Sequence, residues 1–178
     1  MAKVDIVNVV ATASLNQSVD FNELVKCKEI IYSSNIYGGR VAYFKTEKMA
    51  GQVSIFVSGK MISVGTKSEL KAFGELVFAM TFLAAEGLIK TVELTPKIQN
   101  LVATADFGKS VNLENLSQNS KAIYEPEQFP GVILRITEPF KTSVLIFASG
   151  KAVITGLKNE KQIEPIVNIL SNLIDMNQ

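Results

Sequence analysis

Residues 4–13 are dominated by β-branched side chains and read as a strand. Ser18 is expected to cap a short helix running to Lys26, with Asp20 and Glu23 in its first turns. Further strands are expected over 29–33, 40–45, 53–57 and 60–64, the last two joined by the two-residue turn Ser58-Gly59. A long helix follows over 68–86 and stops at Gly87. Its apolar set, Leu70, Phe73, Leu76, Val77, Met80, Leu83 and Ala84, recurs at helical spacing. The same order then returns, with Ile163, Ile166, Val167, Leu170, Leu173 and Ile174 on the last helix and Pro165 in its first turn. Runs of strands closed by one long helix predict an α+β fold, an antiparallel sheet with helices on one face. The other face should then alternate polar and apolar. It does not: Val4, Ile6, Asn8 and Val10 point one way and Asp5, Val7, Val9 and Ala11 the other, and both sets are largely apolar. Such a sheet offers an apolar face in need of a partner.

The order returns because the chain is written twice. Ile6-Val7-Asn8-Val9-Val10-Ala11-Thr12-Ala13 recurs 92 residues later as Ile98-Gln99-Asn100-Leu101-Val102-Ala103-Thr104-Ala105, with six of eight positions identical. Ile31-Tyr32 recurs as Ile123-Tyr124 at the same spacing, and Ile55-Phe56-Val57-Ser58-Gly59-Lys60 returns 91 residues on as Ile146-Phe147-Ala148-Ser149-Gly150-Lys151. The change of spacing places one lost residue near the 48–51 loop. Two similar units are expected, residues 1–92 and 93–178, together forming one pseudo-symmetric domain.

Composition narrows the chemistry. The 178 residues carry 18 basic and 17 acidic side chains, so any nucleic-acid contact must use a local basic strip. There is no histidine, which excludes Ser-His-Asp and Cys-His catalysis. The single cysteine, Cys27, allows no internal disulfide and no cysteine metal cluster. No P-loop or dinucleotide fingerprint is present. Glu125 and Glu127 lie two residues apart on one loop, without the opposed partner acid that a glycosidase requires. The pattern predicts a protein that is not an enzyme and needs no cofactor or metal. No targeting signal or membrane span is expected, which suggests a cytoplasmic, nucleoid-associated location.

Tyr124-Glu125-Pro126-Glu127-Gln128-Phe129-Pro130-Gly131, then Arg135, then Leu145 to Lys151 and Thr155-Gly156-Leu157-Lys158, resemble the second repeat of the TATA-box-binding protein family, its archaeal branch above all. The resemblance runs from about Ile6 to Met176. It implies a ten-stranded curved antiparallel saddle with four helices on the convex face, and a non-enzymatic general transcription factor. The concave face would bind double-stranded DNA at a TATA element, in the minor groove, and bend it. By the same likeness Asn8, Asn100, Val10 and Val102 would meet base edges near the centre of the site. Phe129 with Phe147, and Tyr37 with Phe56, would wedge between base steps. Thr155 would touch a base edge, with Leu145, Ile62 and Val153 lining the same face and Val64 in the place of the first-half threonine. Lys60, Lys67, Arg135, Lys151 and Lys158 would hold phosphates. Glu125, Glu127 and Gln128 would dock transcription factor B, and RNA polymerase would follow indirectly.

The bland readings stand beside these. Taken alone, Asn8 is a local hydrogen-bonding device and the lysines are solvated; recurrence in matched pairs is what favours function. The first half departs from the likeness. It carries Ser33-Ser34-Asn35-Ile36-Tyr37-Gly38-Gly39 where the second has its acidic turn, and Tyr43 is expected where Arg135 stands. The 68–86 helix leaves almost no polar face, which suggests a protein partner or self-association there. The alternative function is therefore a divergent paralogue, a protein-interaction or regulatory module with weakened DNA binding.

Overall fold

A computed structural model of the chain describes residues 2–118 and 122–177. It divides into two compact units, residues 8–99 (the first half) and residues 1–7 with 100–178 (the second half). Among the described residues, ten strands and four α-helices follow the expected order. They are β1 (Lys3–Ser14), α1 (Phe21–Leu24), β2 (Ile30–Tyr32), β3 (Val41–Phe44), β4 (Gln52–Phe56), β5 (Lys60–Thr66), α2 (Glu69–Ala85), β6 (Lys97–Asp106), α3 (Leu113–Ser117), β7 (Ala122–Ile123), β8 (Gly131–Ile136), β9 (Thr142–Phe147), β10 (Lys151–Leu157) and α4 (Ile163–Met176). In the first half the spatial order is β2-β3-β4-β5-β1, and in the second β6-β10-β9-β8-β7, all antiparallel.

The longer strands bury alternate residues. On β4 and β5 the core side holds Val53, Ile55, Met61 and Ser63, while Ser54, Phe56, Ile62 and Val64 stay half-buried on the other. In the first half α2 covers the core side with Ala72, Leu76, Ala79, Met80 and Leu83. The fully buried ring of Phe44 stacks on Phe82 at 4.6 Å between centroids and meets Phe78 edge-on at 5.4 Å. In the second half α4 contributes Ile166, Leu170 and Ile174.

Two local expectations are corrected. Asp20, not Ser18, caps α1: its Oδ1 accepts the Asn22 N–H at 2.9 Å. The chain at Val19 is still extended, its N–H donating to the Val57 carbonyl at 3.0 Å, so the helix cannot begin earlier. On α2 the expected apolar stripe is partly misplaced. Leu70 is 82% exposed and Val77 45% exposed, and Glu75 occupies the buried stripe instead. At 100° per residue the positions 72, 75, 76, 79, 80 and 83 share the inward face, and Leu70 and Val77 fall outside it.

The register also moves the length change between the repeats. Ile31 pairs with Tyr43, twelve residues on, whereas Ile123 pairs with Ile133, ten residues on. The β2–β3 connection is thus two residues longer than β7–β8. Phe44 pairs with Val53 and Leu134 with Val144, so β8–β9 is one residue longer than β3–β4. The 48–51 loop is therefore where the second copy gains a residue, and the loss lies before β3. Counted this way, Tyr43 matches Ile133, and Lys45, not Tyr43, matches Arg135.

Candidate nucleic-acid interface

In both halves the residues proposed to face bases lie on the side of the sheet turned away from the core. Asn8 and Val10 on β1, Phe56 on β4, and Ile62 and Val64 on β5 are half-buried there. Asn100 and Val102 on β6, Leu145 and Phe147 on β9, and Val153 and Thr155 on β10 are placed alike. Each of these positions has a buried residue beside it on its strand, so the period of two sets the face.

The two asparagines do the same thing. The register of β5 against β1 shifts between Val9 and Ala11, and that of β10 against β6 shifts between Ile154 and Leu157. At each shift a glycine takes positive φ, 98° at Gly65 and 94° at Gly156, which side-chain-bearing residues rarely adopt. The Gly65 N–H donates to Asn8 Oδ1 at 2.9 Å and the Gly156 N–H to Asn100 Oδ1 at 2.8 Å. The local role is thus real: each carbonyl is spent on a bulge and each side-chain NH2 remains as a donor. In the second half Asn100 Nδ2 also reaches Thr155 Oγ1 at 3.3 Å. In the first half the matching position is Val64, so Asn8 has no such neighbour.

The aromatic residues are unequal. Phe129 and Phe147 lie 5.7 Å apart and tilted, half-buried. The turn that carries Phe129 is closed by the Gln128 and Phe129 N–H groups, both donating to the Glu125 carbonyl at 2.9 Å. On the same turn Glu125, Glu127 and Gln128 are exposed. Tyr37 is 75% exposed with φ 49°, on the longer connection, and makes no ring contact with Phe56 among the described residues.

The basic side chains rim these faces. Lys60, Lys67, Arg135, Lys151 and Lys158 are exposed. Lys151 edges a hollow of about 520 Å³ with Phe147, Val153, Lys3, Asp5 and Asp106. Lys60 edges a matching hollow of about 440 Å³ with Thr12, Ser58, Thr95 and Lys97. Lys3 and Lys97 were missed in the sequence; the 92-residue repeat, which sets Lys3 against Thr95 and Asp5 against Lys97, would have drawn attention to both positions. Arg135 opens on a third hollow with Lys141, Thr137 and Thr155. Its first-half counterpart Lys45 turns inward instead: Nζ donates to the carbonyls of Met49 at 3.0 Å, Ala50 at 3.2 Å and Gly51. Burial first, then the nearby Glu86, Glu29 and Glu23, push the Cys27 thiol above its ordinary range, which disfavours the reactive thiolate. Among the described residues, no helix is long and apolar enough to cross a membrane.

The family model described as "Transcription factor TFIID (or TATA-binding protein, TBP)" matches residues 3–76 and again 95–175, one match per repeat. A TATA-box-binding protein of Cenarchaeum symbiosum is 40% identical over 159 residues, covering 89% of this chain and 86% of that protein. One from Methanococcus aeolicus is 37% identical over 179 residues, covering 97% and 96%. The solved structure of Methanococcus jannaschii TBP matches with a TM-score of 0.86 at 32% identity, covering 98% of this chain and 99% of that one. The twofold repeat, the ten-stranded antiparallel sheet with four helices, and identity sustained over nearly the whole length place this chain in the TATA-box-binding protein family, whose members are non-enzymatic DNA-binding transcription factors.

Proposed function

We propose that the chain is a general transcription initiation factor of the nucleoid that binds a TATA element in the minor groove, bends it, and recruits transcription factor B and, through it, RNA polymerase. The observation that carries this reading is the pair of asparagines. Asn8 and Asn100 each spend their carbonyl on a glycine N–H. What each can still offer a ligand is an amide donor set in an apolar face. The minor-groove edge of an A·T pair presents acceptors only, whereas a G·C pair adds an amino donor that such a face leaves unpaired. Val10, Ile62, Val64, Val102, Leu145, Val153 and Thr155 extend the surface against base edges. Phe147 with Phe129, and Phe56 with Tyr37, are the proposed wedges, each opening a base step and kinking the duplex. Lys60, Lys67, Arg135, Lys151 and Lys158 hold phosphates, with Lys3 and Lys97 beside them, and contribute affinity and salt dependence rather than readout. The exposed Glu125, Glu127 and Gln128 are the docking turn for transcription factor B.

A second reading is favoured by one observation, the solvent-exposed Tyr37 with no ring partner among the described residues. It is an interaction module that keeps the fold and captures transcription factor B with weakened DNA binding. Anisotropy titration separates the two, using a TATA duplex and a G·C-rich duplex at two salt concentrations, with and without transcription factor B. Selective TATA binding by the protein alone supports the general factor. Capture of transcription factor B without DNA binding in any mixture supports the module.

A further inference from the structure

The first half holds a second concave surface that belongs to neither the base-facing side nor the acidic turn. It lies between the β3–β4 loop and the middle of α2 and has a volume of about 400 Å³. Its loop wall is fixed from two sides. Lys45 Nζ donates to three consecutive carbonyls, those of Met49, Ala50 and Gly51, and Glu75 Oε1 accepts the Gly51 N–H at 2.8 Å. A wall pinned in this way is ready for a ligand without ordering first. The floor is apolar, from Met49 and the 39%-exposed ring of Phe78. The helix side is notched: a Cβ added at Gly74 would meet nothing within 4 Å, which leaves room for a large side chain. Glu75 lines the back, but its carboxylate is turned inward onto Gly51 and, at 3.5 Å, Ser63 Oγ. The charges at the mouth are two exposed lysines, Lys48 and Lys71. The groove is particular to this half, since Pro165 and Ile166 stand on α4 where α2 has Gly74 and Glu75.

We propose that this groove docks an acidic peptide segment of a protein partner. One large apolar side chain seats over Gly74, between Met49 and Phe78, and the segment's flanking carboxylates meet Lys48 and Lys71. Apolar anchor and opposite charge together define the partner's chemistry, and the partner reaches the chain away from the proposed DNA face.

The test titrates isotope-labelled protein with a synthetic peptide of aspartates and glutamates around one central phenylalanine, read by amide shifts. Two control peptides replace the phenylalanine by alanine or the acids by lysines. The expected result is saturable shifts at Met49, Ala50, Gly51 and Gly74, with binding about tenfold weaker for each control. Gly74→Leu should remove the shifts while TATA-duplex binding persists. Lys48→Glu with Lys71→Glu should weaken the acidic peptide about tenfold by charge alone. No shift at the groove, equal binding of the lysine peptide, or peptide binding unchanged by Gly74→Leu overturns the proposal. So do shifts at the same amides that rise with protein concentration alone and vanish in Gly74→Leu, which would give the groove to a second copy of the chain. Loss of TATA binding in wild-type protein with the peptide result intact would strike the proposed function and leave this inference standing.

Discussion

The second repeat presents Phe129 and Phe147 as a contacting pair on a short turn closed by two backbone hydrogen bonds. The first repeat carries Tyr37 into solvent on a connection two residues longer. The same contrast recurs at the matched basic position, where Arg135 faces an open hollow and Lys45 is consumed by three carbonyls. It recurs again at the asparagines, where Asn100 has Thr155 beside it and the first-half position matching Thr155 is Val64. One sequence pattern has thus produced two halves of the same strand order whose outward chemistry differs. The shared part is the part that buries area. The divergent part sits in connections and on exposed positions, where substitution costs little stability. The first half has spent its freed residues inward, building the pinned β3–β4 loop and the groove beside α2.

Reversing charge on the acidic turn is the sharpest way to break the contrast. Glu125→Lys with Glu127→Lys should abolish capture of transcription factor B and leave binary DNA binding intact, as read by gel shift. Lysines at Ser33 and Asn35, on the matching connection of the first repeat, should leave that capture unchanged. Next comes the wedge. A base–aromatic stack is worth about 1–3 kcal/mol, so Phe147→Ala should lower TATA affinity by roughly ten- to a hundredfold. Phe56→Ala should lose less, because no ring among the described residues supports it; equal losses would mean that Tyr37 closes on Phe56 in the complex. Stability comes third. Urea unfolding should show Ile166→Ala destabilised by about 2–5 kcal/mol through its cavity. Glu75→Ala should lose about 1–3 kcal/mol, chiefly from the orphaned Gly51 N–H. Fourth, Arg135→Ala should reduce the slope of log K against log salt by about 0.9, the signature of one phosphate contact. Lys45→Ala should leave that slope unchanged and loosen the 46–51 loop in hydrogen exchange. The smallest effect is Gly74→Ala, expected to raise stability by about 0.5–1 kcal/mol in the unfolding curve, since the helix gains propensity and the added methyl meets nothing.

The succession of strands along the chain, the long helices and the apolar outward side were readable in advance because they rest on short periods. A period of two places Phe56, Ile62 and Val64 together, and one of 3.6 places Leu76, Met80 and Leu83 together. The 92-residue repeat doubled every such signal, so a lone Asn8 or Phe56 became half of a pair. What escaped was whatever depends on register across strands. Aligning the repeats by constant spacing set Tyr43 against Arg135, and only the pairing of β3 with β4 and of β8 with β9 puts Lys45 there. Lys3 and Lys97 escaped for a related reason. Each lies at the start of a strand, and each shares its hollow with a lysine distant in sequence.

From residue order alone follow the twofold repeat, the α+β class, the absence of histidine chemistry and the apolar outward face. Each depends on residue type and local spacing, which a linear chain carries in full. The tertiary structure decided which atoms of those residues remain available. Whether Asn8 shows a carbonyl or an amide depends on a glycine N–H 57 positions away. Whether Glu75 is a surface acid or a buried clamp depends on a backbone N–H 24 positions away. Hydrogen bonds and ring contacts act over about 3–6 Å, and only folding brings such distant positions within that reach.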